Sequence, residues 1–539
     1  MEIYIIKNNN TDFKIVNCKE SKRASNILKD YLKKITNVDF EIYNKKIENS
    51  NLILFKKSKK YDLQGFYYSL KKVDNNYFLE FLAENEQSFV YAVYDFLERI
   101  VGCRYYTSKV EYVPREENLL INLDTYSFIP KIDYREIFYK DFENKEFSEK
   151  HKAAQSGKHE GWGFWCHSFQ NLLPQDLFEQ HPEYFALIDG ERNKKGEPCL
   201  SNPNVRKIMK DNLRKFMEEK ADCRYWSVSQ NDDNLYCQCE NCKKIDDYDE
   251  SPMGSVLNFV NDVANEFPDK VISTLSYWYT RKSPKHTRPN KNVHIMTCNI
   301  EANRGLPIET DISCKESKEE LEFWASISNS VSLWDYNIQF RNLVSPFPNL
   351  CTLAPNMQFF EKNKVKLLFS QCNREIGGEW CYLRGYLLAK LAWNPYCDIE
   401  KHMTEFCNGY YGKAGEYILQ YINKMHNAHK EKNVRLDIFG NPEDYKKTFL
   451  TKKLYLEYIE LFEKAKEVVK DNEEILLRVE EAQLPLYYAG IYLKYGTKKQ
   501  QIDNIIKFAT IARKTNLHMV EEWKITVDNF VTDALVSLN

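Results

Sequence analysis

SVLNFVNDVANEFPDKVISTLSYWY, residues 255–279, changes its period halfway along. Up to Phe267 the apolar residues Val256, Leu257, Phe259, Val260, Val263 and Ala264 recur at helical spacing, which predicts an amphipathic helix. After Pro268 the run VISTLSYWY (271–279) is apolar, β-branched and aromatic, which predicts a buried strand. YWSVSQ (225–230) is a similar run upstream, so the unit reads strand, helix, strand. Two strands joined through a helix pair in parallel by a right-handed crossover.

Working outward, the same rhythm returns in DYREIFY (133–139), GFWCHSF (163–169), NVHIMTCNI (292–300), SVSLWDY (330–336) and VKLLFSQ (365–371). An eighth strand is expected in EYFALID (183–189) or GEPCLS (196–201). The expected fold class is therefore α/β, a (β/α)8 TIM-like barrel over residues 128–400. A doubly wound open sheet competes, but no Gly-rich phosphate loop follows any of these runs. Residues 1–127 mix short strands with two amphipathic stretches, ESKRASNILKDYLKKITN (20–37) and EQSFVYAVYDFLERIVGCRYY (86–106), and read as a small α/β domain. Residues 401–539 carry long amphipathic patterns and no strand signal, so a helical bundle closing one side of the barrel is expected.

A chain of 539 residues calls for several domains, and its 43% hydrophobic and 29% charged residues are those of a globular protein. A net charge of −2 gives no basic excess for nucleic acid. No apolar run reaches 18 residues and no apolar leader precedes the first strand, so no membrane partner and a cytoplasmic location are expected. Fifteen scattered cysteines fit a reducing compartment better than a disulfide framework. Aromatics reach 14%, which suits either a sugar-stacking cleft or a large core.

In a barrel of this kind, chemistry gathers at the C-terminal ends of the strands. The predicted ends carry Arg135 and Glu136, Trp165 and His167, Asp232 and Asp233, then Tyr277, Trp278 and Tyr279. Asn299 and Glu301 follow, then Trp334, Asp335 and Tyr336, and finally Glu375, Glu379 and Trp380. No Ser-His-Asp grouping or H-E-x-x-H pattern accompanies them. Carboxylates, aromatics and arginine around a cleft are the groups that cleave a glycosidic bond, one carboxyl protonating the leaving oxygen while another group stabilises the oxocarbenium-like centre.

YAVYDFLERIVGCRYYTS resembles the end of the small domain that precedes the barrel in glycoside hydrolase families 20 and 67. HPEYFALIDGER, CLSNPNVR, SVSQNDDNLYCQCENC, WDYNIQF, PFPNL, LRGYLLAKLAWNP and EFCNGYYGKAGEYI together resemble DUF4838, a family of which some members are classed as family 163 endo-β-N-acetylglucosaminidases acting on N-glycans. The resemblance implies a β-N-acetylglucosaminidase whose partner is an oligosaccharide or glycoprotein glycan and which needs no catalytic cofactor. By analogy with families 20 and 84, it implies a substrate-assisted retaining mechanism, with Asp232 orienting the acetamide and Asp233 protonating the leaving group. Glu301 is the next candidate for the acid. Arg135, His167, Trp278, Trp334, Asp335, Tyr336, Glu375 and Glu379 are the candidate sugar contacts, with Trp380 a further candidate for the subsite floor. A uronic-acid glycosidase drawing on Arg135, Arg304 and Arg374, or a non-catalytic carbohydrate-binding protein, are the alternatives.

Cys237, Cys239 and Cys242 follow the aspartates at once. A closed structural zinc site wants four ligands. Cys199 is the expected fourth and Cys298 a weaker one, with free thiols or an exported disulfide as the other readings. Catalytic zinc is disfavoured, since neither a histidine nor a water-activating glutamate accompanies these cysteines.

Overall fold

The computed structural model describes residues 1–45, 47–61 and 64–538. The N-terminal region is a six-stranded sheet in the order Thr125–Phe128, Phe66–Val73, Asn76–Ala83, Asn51–Lys57, Phe13–Val16, Ile42–Tyr43. Helices Lys22–Thr36 and Glu86–Phe96 cover it. The first buries Leu28, Tyr31, Leu32 and Ile35 along one stripe and ends at Asn37, whose left-handed backbone (φ 62°) returns its N–H to Lys33 O. The second is capped by Asn85, whose side chain accepts from Ser88 N.

Six parallel strands form the central sheet: Tyr134–Ile137, Tyr225–Ser227, Val271–Ser276, Val293–Cys298, Val331–Tyr336 and Val365–Gln371. We number them first to sixth. The first pairs with the sixth, and the sheet then runs in order down to the second. It curls so that residues 153–168 lie between its two edges. Ala154 bridges Glu136 of the first strand and Trp162 bridges Tyr225 of the second, both in parallel. The α/β barrel class therefore stands, with GFWCHSF as an irregular stave in place of a regular strand.

That stave follows the second strand through Gly163 N to Tyr225 O, Ser227 N to Phe164 O and Ser168 N to Ser229 O. The Trp226 ring lies 2.3 Å from where a Gly163 Cβ would stand, and His167 has φ +49°. The close indole and the left-handed residue break the ladder. Neither candidate for the eighth strand joins the sheet. Leu187–Ile188 and Glu191–Arg192 instead make a hairpin outside it, turned by Asp189 and Gly190 at φ 50° and 89°. Phe185 bridges Pro198 in antiparallel sense beside it.

The N-terminal layer and the barrel share buried charge. Burial alone would raise the Glu98 carboxyl, but Lys390 and Lys152 overrule it and hold it well below the usual range. The C-terminal region is helical over most of its length, including Ile399–Tyr411, Gly415–Lys432, Lys452–Glu467, Glu473–Tyr492 and Lys498–Lys514. It also holds one short hairpin, Met519–Glu521 with Ile525–Thr526, where no strand was expected. That hairpin docks by backbone onto a barrel loop, Leu343 N to Val520 O and Glu522 N to Phe340 O, so a tertiary contact makes it.

Candidate active site

Alternation along each strand sorts the predicted residues into those that face the barrel axis and those that do not. Tyr134, Trp162, Leu275, Met296 and Leu367 pack together inside, with Trp165, Cys166, Tyr225, Tyr277 and Trp334 against them. The wall is strongly aromatic. Trp165 stacks on His159 with ring centroids 4.4 Å apart, and also touches Phe369 at 5.0 Å and Trp334 at 5.8 Å. Trp334 donates to Gln371 Oε1 at 3.1 Å and lies near-parallel to Tyr336.

At the C-terminal end of the second strand the chain turns through Asn231 and Asp232. The exposed Asp232 carboxylate accepts from the Trp278 indole at 2.9 Å, and Trp278 is itself half exposed. Tyr277 also faces this carboxylate: burial, and then the charge of Asp232, push its phenol well up. The same two causes push the Cys166 thiol up to about 12. His167 approaches Tyr277 at 6.5 Å between ring centroids and donates from Nδ1 to Gln230 O at 2.7 Å. Asp232, His167, Tyr277, Trp278, Trp334 and Tyr336 thus gather at one mouth. Glu301 stands on its rim, half exposed and paired with Arg281 at 2.9 Å.

Other candidates are placed elsewhere. Arg135 is on the outer face of the first strand, where its guanidinium donates to Lys152 O, Ile132 O, Asp133 O and Gln64 Oε1 beneath the N-terminal sheet. Strand alternation turns Glu136 inward in its place, where it accepts from Tyr134, from Gly157 N at 2.8 Å and from His159 Nδ1 at 3.0 Å. Asp335 is likewise outward and buried, accepting from Asn299 at 2.7 Å and Asn337 at 2.9 Å with Arg304 at 3.7 Å. Glu379 is buried against Arg384 and accepts from Phe347 N, and Trp380 packs on Tyr421 of the helical region. Glu375 lines a separate hollow with Ser108, Lys109 and Tyr382. Of the three arginines that a uronic-acid subsite would use, Arg135 and Arg304 are committed to buried partners, so that alternative keeps only the exposed Arg374.

Residues 105–423 match the family described as "Domain of unknown function (DUF4838)", which spans more than half of the chain. The chain belongs to that family. No curated protein matches it. Among solved structures it is similar to a mutant β-hexosaminidase of Streptomyces plicatus in complex with its product GlcNAc, at 10% identity over 75% of this chain and 90% of that one, with a TM-score of 0.42. It is similar to a β-N-acetylhexosaminidase of Bacteroides fragilis at 12% identity, over 78% of this chain and 93% of that one, with a TM-score of 0.42. A family 89 glycoside hydrolase of Clostridium perfringens, in complex with 2-acetamido-1,2-dideoxynojirmycin, is similar at 11% identity over 92% of this chain and 64% of that one, with a TM-score of 0.48.

In this DUF4838 chain the two neighbouring aspartates have different surroundings. Asp233 accepts from Leu235 N at 2.8 Å, closing an Asx turn. Its charge acts on Glu197 and Tyr279, whereas Asp232 acts on Tyr277. Glu197 was not among the expected site residues. It is buried, accepts from Asn231 N at 2.7 Å and Asn231 Nδ2 at 3.1 Å, and burial followed by the Asp233 charge pushes it up to about 8. GEPC offers no periodic or motif signal that would mark that glutamate; only the fold brings it under the loop. Glu136 did have a signal, since it alternates with Arg135 on a strand whose other inward residue is Tyr134.

Proposed function

We propose that the barrel mouth hydrolyses a glycosidic bond to an N-acetylated hexose within an oligosaccharide or glycoprotein glycan, by a substrate-assisted retaining route. The observation that carries this reading is the Asp232 carboxylate, held by the Trp278 indole at the strand end beside Tyr277 in an aromatic mouth. In that place it accepts the acetamide N–H and keeps the amide oxygen aimed at the anomeric carbon. The oxygen attacks that carbon, the bond to the leaving oxygen breaks, and the leaving oxygen takes a proton from an acid. Water then gives its proton back to the carboxylate of that acid and opens the cyclic intermediate from the face the leaving group vacated, so the anomeric configuration is retained. Asp233 is spent on its turn, so Glu301 on the rim is the carboxyl assigned to the proton. The half-exposed Trp278 and the partly buried Trp334 offer faces for the sugar ring, Tyr336 backs Trp334, and His167 beside Tyr277 is a partner for a hydroxyl. These steps call for no cofactor.

Mass spectrometry of a mixed glycan and glycoprotein panel tests this, with wild type, Asp232→Asn and Glu301→Gln side by side. Release of N-acetylhexose-terminated fragments by wild type, lost in Asp232→Asn, is expected, together with inhibition by a thiazoline that mimics the cyclic intermediate. Cleavage between the two core GlcNAc residues of N-glycans would identify endo action. Glycans left intact by wild type, with binding retained, would sink the enzyme and leave a carbohydrate-binding protein.

A further inference from the structure

Four thiols from three separate places converge behind the Asp232 loop. Cys199 follows the Phe185–Pro198 bridge, Cys237 and Cys239 lie on the loop after the second strand, and Cys242 is in the first turn of helix Glu240–Asp249. Their sulfur atoms all lie within 4.8 Å of one another. Cys199 Sγ is 3.6 Å from Cys239 Sγ and 3.9 Å from Cys242 Sγ, too far for any S–S bond. Zinc–thiolate bonds of about 2.3 Å in a tetrahedron set sulfurs roughly 3.8 Å apart, a value those two distances bracket. Hydrogen-bond donors also point at the sulfurs. Leu187 N–H approaches Cys237 Sγ at 3.4 Å and Arg192 Nη1 approaches it at 3.8 Å. Ser201 Oγ accepts from the Cys242 thiol at 3.1 Å and lies 3.6 Å from both Cys199 and Cys239 Sγ, so its single proton can turn to one of those sulfurs. Donors aimed at sulfur stabilise thiolates and orient metal ligands.

We propose that Cys199, Cys237, Cys239 and Cys242 bind one zinc ion as a closed tetrathiolate, releasing their protons on binding, and that this ion fixes the loop presenting Asp232. Cys298, the weaker fourth ligand expected from sequence, is the buried last residue of the fourth strand and is not in the cluster. Two neighbouring backbone bonds, Gln238 N to Leu187 O and Glu197 N to Leu235 O, continue the clamp, as does Asn231 N to the Glu197 carboxylate Oε1. The ion therefore ties the outer hairpin, the Glu197–Cys199 segment and the aspartate turn into one body. All four ligands are cysteine, so no position is left for a reactive water and the ion's role is structural.

The test is elemental analysis of the full chain purified under reducing conditions. About one zinc per chain is expected. Cys239→Ser and Cys242→Ser should each lower that content at least tenfold, while Cys298→Ser should leave it unchanged. Where a serine variant does not fold, stepwise mercurial titration of the wild type gives the same information, with zinc release complete after the four clustered thiols have reacted. Cobalt exchanged into the site should show intense tetrahedral d–d bands and sulfur-to-metal charge transfer. Hydrogen exchange at residues 187–192 and 231–242 should accelerate in the metal-free chain. A chain that carries no zinc and takes up none, that carries iron instead, or that keeps its zinc after loss of these cysteines would overturn the proposal. None of these readouts requires glycosidase activity, so the metal site and the proposed reaction can fail separately.

Discussion

The second and sixth strand ends look alike in sequence, each offering carboxylates beside aromatic residues, yet they serve opposite purposes. NDDN with Trp278 leaves Asp232 at the barrel mouth, whereas GGEW sends Glu379 into a buried pair with Arg384 and packs Trp380 on Tyr421. What differs is the layer outside the barrel. The helical region covers the sixth end and supplies its partners. The second end is backed by the cysteine cluster and the Asp189–Gly190 hairpin, which take hold of the loop from behind and leave its tip open. A strand end becomes a site where the neighbouring layer braces the loop without covering it.

The contrast can be broken first at the sixth end. Glu379→Ala leaves the fully buried Arg384 without its carboxylate, and loss of one partner of such a pair costs about 3–5 kcal/mol. Denaturant melts should show that loss, or failure to fold, while Glu379→Gln loses less. At the second end the expectation reverses. Asp232→Asn should keep the stability of wild type within about 0.5 kcal/mol, since the group is exposed. Turnover should fall by about 10²–10³, the range for losing one positioned group that stabilises developing charge. A stability loss at Asp232 equal to that at Glu379 would erase the distinction.

Glu320 sharpens the comparison through pH. It sits on helix Lys315–Ile327 beside the mouth, accepting from Ser276 Oγ at 2.5 Å and Arg281 Nε at 3.0 Å, and burial lifts it from 4.5 to about 7 despite both. Between those values the folded chain holds a proton that the unfolded chain has lost, so stability falls as pH rises through the interval. The full effect is roughly 3 kcal/mol for a shift of that size, and Glu320→Gln should flatten the slope in melts from pH 4.5 to 7.5. The smallest effect on turnover belongs to Asp233→Ala, which removes one turn hydrogen bond worth about 1 kcal/mol. Its turnover should stay within a few-fold of wild type; a drop matching Asp232→Asn would restore the paired-aspartate mechanism.

Much of this could be read from residues alone, because period is a local property. The change from helical spacing to a β-branched run at Val271 marks a crossover unit wherever it occurs, and repetition of that unit points to a barrel. Asp232 and the cysteine spacing were legible for the same reason, as they fall at or just after a predicted strand end. Which way a side chain faces was less secure. Strand alternation depends on register, and the outward turn of Arg135 and Asp335 follows from their pairing with Leu368 and Ser370 of the sixth strand. The irregular stave at 163–169 was hidden because its break comes from the Trp226 indole against Gly163.

By itself, the sequence determined the α/β barrel class, the helical C-terminal region and the candidacy of Asp232 and of four cysteines. Tertiary structure alone decided that Asp233 would close a turn, that Glu379 would be buried beneath the helices, that Glu197 would lie under the loop, and that Cys199 would meet three thiols 38 to 43 residues further along the chain. The physical reason is the same in each case. A polar side chain takes its role from whichever donors, charges and solvent surround it once the chain is packed, and those surroundings come from residues distant in sequence.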